Sequence, residues 1–426
     1  MKTNNKKVLL TSAAIASLFI GCDNNDNESS KWILPDIGNS GIELPYSVLK
    51  KVGDVEVRNG GYGSAATAHP TNEGEFYALT DRGANLKTSG GKIFPTPDYT
   101  PRIGHFKLLE DKTVVQLAEI LLKNPAGVPV SGRPNPEGYG ATGEIPYDLN
   151  KSVLAYDKHG IDSEGLVALK DGSFWVSDEY GPHIVHFDAT GKELERISPV
   201  NVNTGNRKIP AVFERRWANR GMEGLAITPD EKTLVGIMQS TLYNPSKKEV
   251  ADFTITRIVT FDIATATTKQ YLYKQEKAKN SNSEITALSN TEFLVIERDG
   301  NFQGSDPTAQ KFIYKIDISN ATDVSGDSFN DLDGMLVNNK TIEQNTWDEL
   351  SEANITPVSK TLAVDVTKIL GSYPHEKMEG IWLINGTTIG ILNDDDFAVT
   401  GTDVLNQKIL PGTDKVDQNT LYITNF

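Results

Sequence analysis

Apolar residues along this chain come in short runs, each closed by a turn signal and followed by a second short run. No stretch carries the spacing of a long amphipathic helix. Five such pairs line up: residues 63–68 with 75–82, 162–169 with 173–179, 222–227 with 233–239, 283–288 with 293–299, and 378–383 with 388–394. Turns such as Lys170-Asp171-Gly172, Pro229-Asp230-Glu231 and Asn385-Gly386 join the members of a pair, so each pair predicts a β-hairpin. Two further strands follow most hairpins, at 183–188 and 193–197 after the second, 257–262 and 269–273 after the third, and 311–317 and 361–365 after the fourth. A recurring four-stranded antiparallel unit is the blade of a β-propeller. The fold class expected is therefore all-β: a propeller with five recognisable blade repeats, room for a sixth in the long gaps, and two loop insertions. A β-sandwich of irregular hairpins is the alternative. Only residues 420–424 remain for the last unit, and residues 46–52 are available to supply its outer strand and close the ring. The insertions, at 124–148 and about 318–356, should be surface excursions, either a lid on the binding face or decoration on the other.

The first residues change the compartment rather than the fold. Lys2, Lys6 and Lys7 precede an apolar run from Val8 to Ile20, too short to span a bilayer comfortably, and Gly21 and Cys22 follow. This stretch resembles a bacterial lipoprotein signal, which implies lipidation of Cys22 and a lipid-anchored place in the bacterial cell envelope, at the outer membrane. A secretory peptide with an incidental cysteine is the alternative. The division expected is a signal peptide at 1–21, a polar tether at 22–31 and a single propeller domain at 32–426. The anchor consumes the chain's one cysteine, so thiol chemistry, a disulfide framework and a Cys-based zinc site are all excluded.

Charge sharpens the partner class. The formal charge is −15, and removing residues 1–21 takes away three lysines and no acids to leave −18. Binding a nucleic acid through its phosphates is excluded on that ground. The expected partner is a small-molecule ester or phosphate ester, met by a monomer whose membrane contact is the anchor alone.

Much of the acidity falls at one place in the repeat. The start of a hairpin's first strand and the end of its second lie side by side, and in a propeller those ends crowd one central mouth. Ser64, Glu164, Glu223, Glu284 and Glu379 stand at the starts. At the paired ends stand Asp81 and Arg82, Asp178 and Glu179, Gln239, Glu297 to Asp299, and Asp394 to Asp396. So many carboxylates repel unless a cation or an arginine compensates them. Oxygen donors without cysteine favour calcium, or magnesium or manganese. Glu164, Asp178, Glu223, Glu284, Asp299, Glu379 and Asp394 are the candidate ligands. The bland reading is that each acid caps its own strand. His183 and His375 lie close by and could act as acid, base or phosphate partner.

Several motifs fail on context. Gly138-Tyr139-Gly140-Ala141-Thr142-Gly143 fits a dinucleotide fingerprint but sits among prolines with no strand before it or helix after it. Asp331-Leu332-Asp333-Gly334 would put Phe329 and Lys340 at ligand positions of an EF-hand. No G-x-S-x-G elbow occurs. In contrast, Asp162-Ser163-Glu164-Gly165, the stretch Phe174 to Pro182 with its Ser177-Asp178-Glu179-Tyr180-Gly181-Pro182 end, Asn219 to Gly224, and Lys377-Met378-Glu379-Gly380 together resemble the phytase-like family described as having esterase-like activity. The resemblance runs from about residue 50 to the C-terminus and implies hydrolysis of phosphate or other esters. Combined with the acidic mouth, it leads to a metal-assisted hydrolase of phosphate esters. Glu164, Asp178, Glu179, Glu223, Glu379 and His183 are then ligands or acid–base groups, and Arg82, Arg298 or Lys377 faces the phosphate. A calcium-dependent lactonase or carboxylic esterase, and a non-catalytic surface module that binds a glycan or a protein, stay open as alternatives.

Overall fold

Each of the five hairpins forms one half of a four-stranded antiparallel sheet. The computed structural model describes residues 32–200, 202, 207–370 and 373–426; the signal peptide and Cys22 lie outside them. The first sheet comprises Ala65–Ala68, Glu75–Leu79, Arg102–Leu108 and Val114–Leu121. The second comprises Ser163–Ala168, Phe174–Asp178, Ile184–Phe187 and Glu193–Ile197. The third holds Met222–Ile227, Thr233–Met238, Ile255–Asp262 and Thr268–Lys274. The fourth holds Ser281–Ala287, Glu292–Arg298, Lys311–Asp317 and Ser359–Asp365. In the fifth, Gly380–Asn385, Thr388–Leu392 and Thr420–Asn425 are joined by Ile42–Glu43 from the other end of the chain.

The first strand of each sheet touches the first strand of the next, and that of the fifth touches that of the first. Neighbouring sheets also share their apolar cores. Leu79 and Ile103 pack with Leu166 and Phe174, Trp175 with Leu234 and Phe261, Val235 with Phe293, and Ile296 with Ile381 and Ile389. Phe76 stacks on Trp382 at 4.6 Å between the first and fifth sheets. Strands covered on both faces need apolar side chains at every position, which is why the hairpin runs read as continuous. The fourth strands, such as Val114–Leu121, face solvent on one side and carry exposed residues at their centres.

The closing strand differs from the one expected. Ile42–Glu43 pairs with Leu421 and Thr420, while residues 47–52 pair with 55–59. The pair Gly53-Asp54, with Gly53 at φ +60°, makes a two-residue hairpin turn, so the segment 47–52 is captured by its nearest neighbour in sequence. The two insertions also part company. Residues 318–356 build their own apolar cluster from Val324, Val337, Ile342 and Leu350 against Ile255 and Leu272 of the third sheet. Fully buried Glu343 holds Arg257 at 2.7 and 2.9 Å. Residues 124–148 instead reach the end where the hairpins open. There Arg216 donates to the carbonyls of Gly140 and Ala141, Arg82 meets Glu144 at 3.2 Å, and Ile145–Tyr147 pairs in parallel with Gly91–Ile93.

Candidate active site

A repeated register shift decides which acids reach the axis. Ser163 pairs with Asp178 but Gly165 with Ser177, so Glu164 is bulged out of the ladder; Glu223 is bulged in the same way between Met222 and Gly224. The bulge turns the carboxylate toward the opening, and the glycine after it lets adjacent sheets meet. A Cβ on Gly165 would lie 2.5 Å from the backbone nitrogen of Leu225, and one on Gly224 would lie 2.5 Å from that of Ile285. In the fourth sheet the shift falls between Asn282 and Glu284, so Ser283 occupies the bulge and Glu284 the position of the glycines. Strand alternation fixes the opposite ends. From Leu79, Ser177, Ile237 and Ile296, the partners of that glycine position in the first four sheets, one residue onward points between sheets and two onward lines the opening.

The outcome is a cavity of about 360 Å³ whose walls include Asp81, Arg82, Glu164, Glu179, Glu223, Gln239, Arg298 and Glu379. Of the residues singled out in the sequence, these come together here, and Lys377 joins them. Asp394 is buried at the edge and paired with Lys377. The other candidates lie elsewhere. Asp178 faces between sheets, 3.6 Å from Arg196, and accepts from the backbone of Asp162 and Tyr180. His183 is fully buried against Gly140 and Gly181, 4.0 Å from Asp178. Glu284 turns onto backbone N–H groups, including its neighbour Ile285 at 2.9 Å. Asp299 holds Lys311 at 2.7 Å outside the cavity, and His375 is clamped between Asp417 and Tyr422. Glu376, Lys87 and Lys92 also line it without belonging to any motif, and Asn219 and Arg220 belong only to the stretch Asn219 to Gly224. Asp162, buried behind the wall, enters only as the first residue of the Asp162-Ser163-Glu164-Gly165 motif.

Burial dominates the electrostatics. It pushes the Glu164 carboxyl well above the usual range, with Glu223 and Asp162 adding repulsion. Glu179 is raised by burial and then by Asp162 and Glu223, and Asp81 by burial and then by Asp394 and Asp162. Glu223 is pushed up to about 8 by burial and Glu379, with Arg298 pulling the other way. The cations are locked on. Burial opposes the charge of Arg298, but Glu379 and Glu223 outweigh it, and Asp394 and Asp396 do the same for Lys377.

Three buried carboxylates are grouped closely enough to hold a metal ion. Asp81, Asp162 and Glu164 each place an oxygen within 4.8 Å of the others. Asp162 Oδ2 has no hydrogen-bond partner, although the Arg82 guanidinium lies 3.3 Å away. An all-oxygen set of this charge fits a hard divalent cation.

The family model described as phytase-like, esterase-like activity of phytase, matches residues 58–397. A protein of Arthroderma benhamiae named "Uncharacterized secreted protein" is 27% identical over 370 residues, 70% of this chain and 70% of its own length. Among solved structures, regucalcin of Agrobacterium tumefaciens, described as a calcium-binding protein, aligns over 82% of this chain and 87% of its own at 10% identity, TM-score 0.33. An α-L-arabinofuranosidase of Podospora anserina aligns over 92% of this chain and 98% of its own at 8% identity, TM-score 0.36.

Proposed function

The chain belongs to the phytase-like family, described by the esterase-like activity of phytase, and from that premise we propose that it hydrolyses phosphate esters at the acidic cavity with a divalent cation. The five sheets are read as blades of a five-bladed β-propeller, with the cavity as its mouth and residues 132–147 as part of the rim. The observation that carries the reading is the trio Asp81, Asp162 and Glu164, whose oxygens lie within 4.8 Å of one another and whose Asp162 Oδ2 accepts no hydrogen bond although it faces Arg82 at 3.3 Å. Those residues would hold the cation, with calcium the first candidate. A bound cation would supply a polarised phosphoryl oxygen and a more acidic water. Glu223 carries its proton at neutral pH and can donate it to the leaving oxygen, because Gln239 Nε2 occupies only Oε2, at 2.7 Å. Glu379 holds Arg298 in place beside it.

Phosphate release from a phosphomonoester should drop to background in excess EDTA and return with calcium. Full turnover in excess EDTA overturns the proposal. Running a neutral lactone and a carboxylic ester in the same assay separates a phosphatase from a carboxylic esterase. An extracytoplasmic place accords with the secreted name of the Arthroderma benhamiae relative. Anchoring through Cys22 is tested by loss of palmitate incorporation in Cys22→Ser.

A further inference from the structure

Three of the six cations that line the cavity are already committed. Arg82 faces Asp162 and Glu144 at 3.3 and 3.2 Å, Arg298 grips Glu379, and Lys377 holds Asp396 at 2.7 Å as well as Asp394. Arg220 is different: among the described residues it forms no ion pair with a carboxylate. Its Nη1 donates to Ser240 Oγ at 2.6 Å and its Nη2 to Ser281 Oγ at 3.2 Å, and both acceptors are neutral. A guanidinium has five N–H groups, so three remain, on a side chain that lines the cavity.

The side chain is also held in place. Its guanidinium lies 4.7 Å from the centre of the Trp217 ring, and Trp217 stacks on Tyr243 at 5.0 Å. Arg220 N donates to Trp217 O at 2.9 Å, closing a turn with Asn219 at φ +60°, a conformation that asparagine tolerates. Gly221 follows because a Cβ there would lie 2.1 Å from the Glu179 carbonyl oxygen. Two other lining cations form no ion pair among the described residues. Lys87 is exposed at the rim. The Lys92 amine, pushed down to about 8 by burial and then Arg82, holds its charge less firmly than a guanidinium.

We infer that Arg220 is the residue through which this cavity recognises an oxyanion of its substrate, the phosphate of a phosphate ester or the carboxylate of an ester-bearing acid. It enters from the loop before the third sheet, across the ring from the Asp81–Asp162–Glu164 trio. The inference rests on the cavity being an ester-hydrolysing site, and it makes anionic esters the substrate class.

The test compares the parent protein with Arg220→Gln and Arg220→Lys on 4-nitrophenyl phosphate and 4-nitrophenyl acetate, with inorganic phosphate and acetate as inhibitors. Loss of a charge-assisted, forked contact should raise KM for the phosphate ester and Ki for phosphate about tenfold to a hundredfold. The change in kcat should be smaller, the neutral ester unaffected, and Arg220→Lys intermediate. If acetate rather than phosphate loses its inhibition, the oxyanion is a carboxylate. Equal losses on both esters, or no loss on either, overturn the assignment. If Arg220→Gln does not fold, phosphate protection of Arg220 from phenylglyoxal in the parent protein replaces it, and absence of protection overturns it. Should the parent protein hydrolyse nothing, calorimetric titration with phosphate separates the two claims. Binding that Arg220→Lys weakens keeps the oxyanion site and removes the hydrolase, whereas no binding of phosphate or acetate removes both.

Discussion

The two sides of the cavity are built by the same backbone device and carry opposite chemistry. On the first and second sheets, the axis-facing positions hold Asp81, Glu164 and Glu179, with Asp162 behind them. On the third and fourth, the corresponding positions hold Gln239, Ser283 and Arg298, with Arg220 arriving from the preceding loop. Glu223 is the one acid of that second side, and burial and then Glu379 push its carboxyl up to about 8. Repetition therefore fixes where side chains point, while single residues at the bulge and two positions past the strand partner set the charge. On the proposed reading, one wall would take a cation and the other an oxyanion. A cation-bound anionic ester would satisfy both.

Removing the first wall should have the largest effect. Asp162→Asn combined with Glu164→Gln should cut turnover about a thousandfold, roughly 4 kcal/mol of activation free energy, and abolish calcium binding in equilibrium dialysis. In EDTA, Glu164→Gln alone should melt higher than the parent, because burial, Glu223 and Asp162 all oppose a charge on that carboxyl, whereas Asp162→Asn also takes from Arg82 its partner at 3.3 Å. Retained calcium stoichiometry, or a lower melting temperature of Glu164→Gln in EDTA, would show that this wall is not a cation site. A much smaller effect is expected at Glu284, which looks equivalent to Glu164 in a simple alignment. Glu284→Gln should keep turnover within about threefold, under 1 kcal/mol. A loss comparable to that of the double variant would erase the distinction between the walls.

That contrast also marks how far the sequence could be read. The five hairpins and the crowding of acids at their open ends follow from strand length and turn residues, and both are visible in the bare sequence. The phase of the bulge is not: a one-residue shift between Ser163-Glu164-Gly165 and Ser283-Glu284-Ile285 exchanges a cavity-facing side chain for one that turns onto backbone amides. The signal was present in the glycine that follows Glu164, Glu223 and Glu379 and is missing after Glu284. The same alternation explains why Glu179 lines the cavity while Asp178 beside it does not. Arg220 and Glu376 lie in loops, and Lys92 in the short strand Gly91–Ile93, all outside the repeat, so the repeat's periodicity carries no information about their direction.

The smallest effect tests how much charge the anionic wall carries. Lys92 lines the cavity within electrostatic range of Glu144, Asp162 and Glu179, and ionised carboxylates around it should hold an ammonium above its ordinary value. It goes the other way: burial first, and Arg82 second, outweigh those acids and push the amine down to about 8. Its proton is therefore lost in the folded protein before it would be lost in the unfolded chain, and folding becomes more favourable as pH rises from about 8 toward the ordinary lysine value. Acetic anhydride labelling against pH, read by peptide mass spectrometry in EDTA, should give Lys92 a midpoint near 8 and the exposed Lys232 one near 10.4. Asp162→Asn removes a charge that favours the ammonium, so the Lys92 midpoint should fall further. A midpoint at or above that of Lys232 would mean that the acids around Lys92 outweigh its burial and Arg82, and would overturn this balance.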